Sequence, residues 1–285
     1  MLTKTQLKTI FSEYGLAPLK SLGENYLIDA NIKDKIIAAS RVKKDDTVLE
    51  IGPGLGALTM DLAKTGASIF AVEKDRKIAA ILKELAGDCL PNLKIFHEDI
   101  LKFDFTNMPP KSKIKVVGSL PYYITTPILE RLIENRTLFD SILIVIQKEV
   151  AYRLSAKPGT KDYGSISCFI QYHARPVYLY TIKRTCFYPS PDVDSSLIRL
   201  EMLKHPSVEV KDEGLLFKII RGSFNQRRKS IINSLSREEV LGIEKDKLSE
   251  ILDKARVSVN ARPEVLSLSD FARIANHAGK LTKRI

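Results

Sequence analysis

The sequence predicts an α/β protein in which a doubly wound, mostly parallel sheet is followed by a small all-helical C-terminal domain. Short apolar segments alternate with helical patterns over the first half of the chain, as parallel strands joined by crossover helices do. One of these segments, 141–146, is apolar throughout, which is typical of a strand covered on both faces. Beyond about residue 205 only helical patterns follow.

The elements of the predicted sheet follow one another in a regular order. The first 30 residues favour a short helix and a loop, and a helix over 31–40 leads to the first strand. Strands that alternate with helical segments are predicted at 47–51, 68–73, 93–96, 114–118 and 141–146. Two further β-rich stretches, 177–183 and 196–200, have no crossover helix between them. We therefore expect them to form an antiparallel hairpin that completes a seven-stranded sheet.

The pattern changes near His205 and Pro206. Helical segments without a clear strand among them follow at 213–223, 228–235, 245–254 and 267–278. We expect the domain boundary within 203–210, with a first domain over 1–205 and a helical second domain over 206–285.

The chain carries a large positive charge. Its 285 residues include 45 Lys or Arg and 34 Asp or Glu, a formal net charge of +11. From Lys204 onward there are 17 basic and 11 acidic residues, so the basic excess per residue is about three times denser there than before. Such a distribution favours a long polyanionic partner such as RNA over a small metabolite.

Several other classes of protein are disfavoured. The first 20 residues lack the continuous apolar core of a secretory signal, and no apolar run approaches the length of a membrane span. The three cysteines, Cys89, Cys168 and Cys186, are scattered, and the four histidines are not grouped. We therefore expect a cytoplasmic protein with reduced thiols, no membrane segment and no metal site.

A glycine-rich turn follows the first strand, at Gly52, Gly54 and Gly56. Glycines at alternate positions let the backbone turn sharply and let a ligand lie against it. The spacing G-x-G-x-G differs from the dinucleotide pattern G-x-G-x-x-G, and no Gly-Lys-Ser/Thr follows, which excludes a P-loop. Alone the turn is a weak signal, because nicotinamide, flavin and nucleoside-sulfonium sites all use one. Glu73 strengthens it, since it ends the next strand 21 residues after Gly52, where a carboxylate can accept from both ribose hydroxyls.

Asp99 ends the third strand and is followed by Ile100. Its carboxylate is placed to accept a hydrogen bond from the amino group of an adenine, and we include Ile100 in the same site. The alternative is that Asp99 only caps the turn that follows.

The segment 118–123, GSLPYY, opens from the end of the fourth strand into a short, stiff loop. Pro121 fixes its own φ and pushes Leu120 towards an extended conformation, which leaves the Leu120 carbonyl free to face a cleft. That carbonyl, the Ser119 hydroxyl and the Tyr122 ring are suited to holding a flat base by its exocyclic amine. The alternative is an ordinary strand-to-helix turn with a partly buried tyrosine.

Glycines, two acids and S-L-P-Y at successive strand ends are, in this order, the layout of an S-adenosylmethionine-dependent amino-methyltransferase. The amino nitrogen of adenine is a poor nucleophile because its lone pair is conjugated with the ring. Acceptors off the ring plane draw this nitrogen towards tetrahedral geometry and stabilise the positive charge that develops as the methyl arrives. Ser119 and the Leu120 carbonyl are the predicted acceptors, and Tyr122 is predicted to stack on the base.

Further segments show a resemblance to one family over nearly the whole chain. They are 21–29 (SLGENYLID), 147–154 (QKEVAYRL), 157–164 (KPGTKDYG), 187–195 (FYPSPDVDS) and 224–229 (FNQRRK). The chain resembles the small-subunit rRNA adenine N6,N6-dimethyltransferases of the KsgA type. The proline-glycine loop favours that type over the related Erm enzymes, which methylate large-subunit rRNA. The resemblance implies a Rossmann-like methyltransferase sheet, and dimethylation of adjacent adenosines in a 3′-terminal hairpin of small-subunit rRNA.

The resemblance also implies roles for residues that spacing alone does not single out. Asn25 and Leu27, in an N-terminal segment over 1–30, would close over the methionine end of the cofactor. Phe187, in a proline-stiffened loop, would hold the second face of the base. Without the resemblance, Asn25 would be interpreted as a loop-capping amide and Phe187 as a core aromatic.

The expected RNA partner gives a role to a basic cluster in the second domain. Taken alone, Arg227, Arg228 and Lys229 on a helix would most often form only a solvated face. With a stacking site and a basic C-terminal domain, we expect phosphate contacts instead. The resemblance implies that this RNA belongs to an immature 30S subunit, and we expect the enzyme to be a monomer.

Three residues depart from the family pattern. Glu24 and Tyr26 stand where the family has Gln and Phe, and Glu24 could alter the local charge near the sulfonium. Ser119 stands where the family has Asn, and its oxygen has a shorter reach, which weakens the expectation of a full rate and of a second methylation. The alternative from another class is therefore a ribosome-assembly factor with weak activity, against which the intact glycine turn and acidic strand ends argue.

Overall fold

The computed structural model describes residues 2–18, 25–108, 113–237 and 240–282. The chain divides into two compact units. The sheet unit comprises Met1–Ala151 and Val177–Met202, and the helical unit comprises Tyr152–Pro176 and Leu203–Ile285.

This division differs from the expected one over residues 152–176. The chain passes from the sheet unit to the helical unit for the last time after Met202, close to the expected boundary. Residues 152–176, however, belong to the helical unit and not to the first domain. The physical reason is burial, because Tyr163 and Cys168 lie in the apolar core of the helical unit. In addition, the Ser207 N–H donates to the carbonyl of Tyr172 at 3.0 Å. Local apolar patterning indicates that such side chains are buried, but not which core buries them.

The elements alternate as the sequence predicts. The strands are β1 Tyr26–Leu27, β2 Thr47–Ile51, β3 Ser68–Glu73, β4 Leu93–His97, β5 Ile114–Ser119, β6 Phe139–Gln147, β7 Ala174–Ile182, β8 Phe187–Tyr188 and β9 Ser195–Met202. The helices are α1 Lys4–Glu13, α2 Ala30–Ser40, α3 Thr59–Lys64, α4 Arg76–Ala86, α5 Thr125–Glu134, α6 Lys148–Ser155, α7 Ser165–His173, α8 Glu213–Phe224, α9 Ile231–Leu235, α10 Lys245–Lys254 and α11 Leu268–Thr282.

The main sheet has seven strands in the order β4-β3-β2-β5-β6-β9-β7. Neighbouring strands from β4 to β6 run parallel, and β9 runs antiparallel to β6. The predicted mostly parallel, seven-stranded sheet is therefore confirmed. From β2 the chain builds outward to β3 and β4 on one side and returns to β5 and β6 on the other. Open α/β sheets bind ligands at such a switch point, outside the carboxyl ends of the strands.

Burial makes the sheet a rigid support for the loops at its edge. All five residues of β2 are buried, and β6 buries the continuous run 142–146. α4 buries Ile78, Ile81 and Leu82 at helical spacing. Each buried side chain of this size contributes roughly 1.5–3 kcal/mol, so the strand ends have little freedom to move.

A small second sheet was not anticipated from the sequence. β1 pairs antiparallel with β8, with Tyr26 opposite Tyr188 and Leu27 opposite Phe187. The Ile28 N–H extends this pairing by donating to the carbonyl of Cys186 at 2.8 Å. Two-residue strands carry no detectable alternation of apolar and polar residues, so sequence patterning gives no signal for them.

The basic cluster at 227–229 lies on a turn and not on a helix. The helix expected over 228–235 begins only at Ile231, with Ser230 as its N-cap residue. Before it, the Lys229 N–H donates to the carbonyl of Gln226 at 2.8 Å, which closes a turn. Helical propensity therefore extends the prediction about three residues too far towards the N-terminus.

Candidate active site

A cavity of about 460 Å³ lies at the carboxyl ends of β2, β3 and β5. Its wall includes residues of α1, among them Gln6 and Leu7, and the glycine turn after β2. It brings together most of the residues that the sequence assigns to the cofactor and the base, namely Asn25, Leu27, Gly52, Gly54, Gly56, Glu73, Ser119, Leu120, Pro121, Tyr122 and Phe187. Two assigned residues, Asp99 and Ile100, do not line it.

The glycine turn has the backbone that only glycine adopts easily. Gly52, Gly54 and Gly56 all have positive φ, at 65°, 56° and 83°. A Cβ at Gly54 would lie 3.2 Å from the ring of Tyr26, which is closer than ordinary contact. The turn is therefore narrow as well as sharp, and a side chain at Gly54 would intrude where β1 meets it.

Glu73 is fixed in place by the turn that it faces. Its Oε2 accepts a hydrogen bond from the Gly54 N–H at 3.1 Å, and its Oε1 accepts from the Asp75 N–H at 2.9 Å. Burial raises the pKa of Glu73, while these backbone donors act in the opposite direction. A carboxylate held in this way keeps lone pairs for ligand hydroxyls at a defined position.

Glu50 is a residue of this cavity that the sequence interpretation missed. It lies in β2, is 1% exposed and lines the cavity. Its Oε2 has no hydrogen-bond partner within the described residues. Burial raises its pKa to about 8, the nearby Thr59 hydroxyl opposes this shift, and the charge of Glu73 adds to it. The available signal was a carboxylate inside an otherwise apolar strand, two residues before the first glycine.

The loop after β5 is held against the sheet at each end. A Cβ at Gly118 would lie only 2.6 Å from the carbonyl oxygen of Ile51, so this glycine allows β5 to approach β2 closely. The Leu120 N–H donates to the carbonyl of Val145 at 3.0 Å. The Thr125 hydroxyl donates to the carbonyl of Pro121 at 3.1 Å. The loop is therefore rigid on the side of the cavity.

Two polar side chains of this loop differ in their partners. The Tyr122 hydroxyl hydrogen-bonds the Ser195 hydroxyl at 2.6 Å, at the start of β9. Burial raises the pKa of Tyr122, and the bond to Ser195 opposes this effect. Among the described residues, none hydrogen-bonds to the Ser119 hydroxyl. Ser119 can therefore accept from a ligand without breaking a bond inside the protein.

Phe187 is both a core aromatic and a residue of the cavity wall, so both interpretations of the sequence apply to it. It is 4% exposed and belongs to the apolar core of the sheet unit, yet it also lines the cavity. Its pairing partner in β1, Leu27, lines the same cavity. The N-terminal segment and the proline-rich loop therefore meet as one wall. Ser21 to Glu24, which contain one departure from the family pattern, lie outside the described residues.

Asp99 makes the contacts of a residue that caps the turn after β4, which was the alternative to a role in binding adenine. Its Oδ1 accepts from the Leu101 N–H at 3.0 Å, and its Oδ2 lies 2.9 Å from the Lys74 ammonium. Burial would raise the pKa of Asp99, but the bond to Lys74 and the Leu101 N–H outweigh it, so that pKa lies below its usual range. Ile100 is buried. The Lys74 side chain is 59% exposed, so this ion pair contributes little to stability.

The predicted phosphate-binding cluster lies in the helical unit, and its members are not equivalent. The Arg227 Nε donates to Glu264 Oε2 at 3.0 Å, and its guanidinium also bonds the carbonyl of Lys161. Arg228 and Lys229 are exposed. Arg227 therefore supports the fold of its own unit, and only its two neighbours resemble free cations.

The described residues contain neither a metal-binding cluster nor a membrane-spanning helix. No group of three or more His, Cys, Asp or Glu residues is arranged to hold a metal ion in 2–18, 25–108, 113–237 and 240–282. In the same ranges no helix has the length and apolar character needed to cross a membrane.

Comparison with known proteins identifies the family. The family model described as "Ribosomal RNA adenine dimethylase" matches residues 18–274. The chain belongs to this family. A relative from Alkaliphilus oremlandii named "Ribosomal RNA small subunit methyltransferase A" is 40% identical over 277 residues, 96% of each chain. One of the same name from Moorella thermoacetica is 44% identical over 92% of this chain and 93% of that protein.

Two solved structures resemble the chain over most of its length. A dimethyladenosine transferase from Plasmodium falciparum superposes with a TM-score of 0.76 and 25% identity, covering 87% of this chain and 95% of the other. The 23S rRNA methyltransferase ErmE superposes with a TM-score of 0.68 and 25% identity, covering 90% and 100%. Sequence identity is therefore higher to the small-subunit relatives than to the Erm enzyme, which favours the first of the two enzyme types.

Proposed function

We propose that this rRNA adenine dimethylase adds two methyl groups to N6 of each of two adjacent adenosines in a 3′-terminal hairpin of small-subunit rRNA, with S-adenosylmethionine as donor. One observation carries this proposal, namely that the glycine turn and the S-L-P-Y loop line a single cavity. The names of relatives at 40% and 44% identity support the small-subunit target.

The residues present fit a cationic nucleoside. Glu73 provides a carboxyl group for its ribose hydroxyls, Glu50 adds a carboxyl oxygen that has no partner within the described residues, and Gly54 leaves the turn without a side chain. A volume of about 460 Å³ suits a small-molecule ligand. When bound, S-adenosylmethionine supplies an electrophilic methyl group. Asp99 remains a proposed acceptor for the adenine of the cofactor, provided that the exposed Lys74 moves away from it.

The loop after β5 would hold the target base. The Ser119 hydroxyl and the Leu120 carbonyl would accept hydrogen bonds from its amino group and stabilise the positive charge that develops on the nitrogen. Tyr122 and Phe187 would hold the two faces of the ring. Because Ser195 fixes the Tyr122 hydroxyl and the core fixes Phe187, little side-chain entropy is lost when the base enters.

Two alternative functions, an Erm-type enzyme and a ribosome-assembly factor, fit the observations less well. An Erm-type enzyme would share the cavity, but the sequence relatives favour the small-subunit type. A ribosome-assembly factor with weak activity would not need an unpartnered Ser119 hydroxyl beside a fixed aromatic ring. We further propose that the substrate is an immature 30S subunit in the cytoplasm and that the enzyme acts as a monomer.

One experiment separates these functions. Purified protein and labelled S-adenosylmethionine are incubated with undermethylated 30S subunits and, separately, with unmethylated 23S rRNA. The modified nucleosides are then mapped. We expect two adjacent dimethyladenosines in the small-subunit rRNA, and no product with a Gly54→Arg variant. Label confined to 23S rRNA would favour the Erm type, and no label in either RNA would favour the assembly factor.

A further inference from the structure

The positive charge of the protein is concentrated in the helical unit. Tyr152–Pro176 and Leu203–Ile285 together contain 21 Lys or Arg and 12 Asp or Glu, a net charge of +9 out of the total of +11. The sheet unit, which holds the cavity, is therefore close to neutral. Attraction to a polyanion must come mainly from the helical unit.

One face of α8 presents this charge around a depression. Lys218, Arg221 and Asn225 are spaced so that they lie on the same side of the helix, and all three are exposed. Together with Arg237 they line a cavity of about 280 Å³. We call this cavity the α8 groove. Within the described part of the chain, Gly222 and Val240 also line it.

A glycine shapes the groove. A Cβ at Gly222 would lie 2.5 Å from a methyl carbon of Val240, so only glycine lets Val240 pack so closely on α8. The Arg237 carbonyl accepts from the Val240, Leu241 and Gly242 N–H groups at 3.0, 3.2 and 3.0 Å. The cationic side chains of α8 and Arg237 are therefore brought to one small site by the packing of Val240 on Gly222 and by the bonds from 240–242 to Arg237.

The two cations on α8 differ from four other basic residues of this unit, which form ion pairs. Arg227 is paired with Glu264 and Arg273 with Asp270, and two lysines of α10 are paired with Glu250 of that helix and with its N-cap residue Glu244. In the described ranges, no carboxylate forms an ion pair with Lys218 or Arg221. Arg237 precedes Glu238 and Glu239, which lie outside the described residues, so Lys218 and Arg221 are the stronger indication.

We infer that the α8 groove is a second site for RNA phosphates, additional to the exposed cations Arg228 and Lys229. A concave site with an arginine and a lysine on its rim and an amide beside them matches the charge and the acceptor oxygens of a phosphodiester. Such contacts position the RNA without selecting its sequence. This inference rests on the proposed function, because it names further contacts to the same rRNA.

The test compares two double variants of equal charge. Lys218→Ala/Arg221→Ala removes the groove cations, and Lys247→Ala/Lys254→Ala removes two lysines that are paired on α10. The affinity for undermethylated 30S subunits and for protein-free 16S rRNA is measured from 50 to 300 mM KCl. We expect the groove variant to lower the slope of log affinity against log salt by about 1.5–2 on both RNAs, and the α10 control to change it by less than about 0.5.

Two outcomes overturn the inference, and neither is confused with failure of the proposed function. If both double variants have the wild-type slope, or the same reduced slope, the groove is not a specific phosphate site. If the loss occurs with 30S subunits but not with protein-free rRNA, the groove contacts a ribosomal protein. The wild-type enzyme is assayed in parallel, because only absence of its methylation of small-subunit rRNA would contradict the proposed function. Calorimetry with S-adenosylmethionine should give equal affinities for all three proteins.

Discussion

The hydroxyl of Tyr122 lies 2.6 Å from the hydroxyl of Ser195, a residue 73 positions further along the chain. This bond joins the loop after β5 to the first residue of β9, which runs antiparallel to β6 in the sheet. It fixes the position of the Tyr122 hydroxyl, and with it the long axis of the ring, without using the face of the ring. The ring that would stack on a base is therefore held at both ends of its long axis, by the backbone and by Ser195.

The first prediction separates orientation from stacking at Tyr122. Tyr122→Ala removes the ring, and we expect kcat/KM to fall roughly 5- to 150-fold, as loss of one base–aromatic stack would cause. Tyr122→Phe and Ser195→Ala remove only the hydrogen bond, and each should cost about 2- to 10-fold. Steady-state methylation of 30S subunits measures all three. The double variant Tyr122→Phe/Ser195→Ala should be no worse than either single one, and additive losses would contradict this role of the bond.

The second prediction concerns the shorter acceptor at Ser119. After the first methyl is added, the N6 nitrogen has only one N–H. The second step therefore depends more strongly on how the acceptor orients that nitrogen. We expect the wild type to accumulate monomethyladenosine before the dimethyl product, and Ser119→Asn to speed the second step. Ser119→Ala should slow both steps by roughly 10- to 1000-fold. A mass-spectrometric time course of both nucleosides checks this, and wild-type rates for Ser119→Ala would remove Ser119 from the mechanism.

The third prediction concerns the cofactor pocket. Glu73→Ala removes the acceptor for Gly54 and for ligand hydroxyls, and we expect the affinity for S-adenosylmethionine to fall roughly 10- to 100-fold by calorimetry. Glu73→Gln keeps one acceptor oxygen, so its affinity for S-adenosylmethionine should fall less than that of Glu73→Ala. Glu84→Ala, which removes an exposed carboxylate that bonds Tyr14 in the same unit, is the control and should bind normally. Equal affinity of wild type and Glu73→Ala would refute the assignment of Glu73.

The fourth prediction follows from the raised pKa of Glu50, about 8. Because this pKa lies above that of the unfolded chain, the stability that the group contributes is complete below about pH 4.5 and is lost as pH rises through about 8. Glu50→Gln cannot ionise. The difference in unfolding free energy between this variant and wild type should therefore shift in favour of the variant by on the order of 2–4 kcal/mol from pH 5 to pH 9. Urea unfolding of the ligand-free proteins measures it, and parallel pH profiles would exclude a buried, neutral Glu50.

The fifth prediction divides the basic cluster at 227–229. Arg227→Ala breaks the pair with Glu264 and should lower the unfolding free energy by roughly 0.5–2 kcal/mol. It should leave the salt dependence of RNA binding nearly unchanged. Arg228→Ala/Lys229→Ala should do the reverse, lowering the salt slope by about 1.5–2 without a change in thermal stability. A large change of slope with Arg227→Ala alone would mean that its pair with Glu264 opens on RNA.

Sequence patterning was sufficient wherever burial and backbone conformation are local. The strands at 47–51 and 68–73 have the predicted bounds, and the others differ by a few residues at their ends. The glycine turn was predictable because positive φ is a property of the residue type. Glu73 and Ser119 were predictable because the end of a parallel strand fixes where the next side chain lies.

What the sequence could not provide depends on contacts between distant segments. The pairing of β1 with β8 and the placing of 152–176 in the helical unit each depend on a partner that local periodicity does not identify. The same holds for Arg227, whose partner Glu264 is 37 residues away. Glu50 was overlooked for a different reason, because a strand pattern treats a buried carboxyl as an exception and not as a signal.

The pairing of β1 with β8 has a consequence for the chain while it is being synthesised. The glycine turn, Glu73 and the S-L-P-Y loop all leave the ribosome before residue 124, yet the wall formed by Tyr26 and Leu27 has no strand to pair with until Phe187 and Tyr188 have emerged. A nascent chain shorter than this carries most of the cofactor-binding residues but an unfinished pocket. Tight capture of the methyl donor is thereby delayed until a segment about two thirds of the way along the polypeptide has left the ribosome.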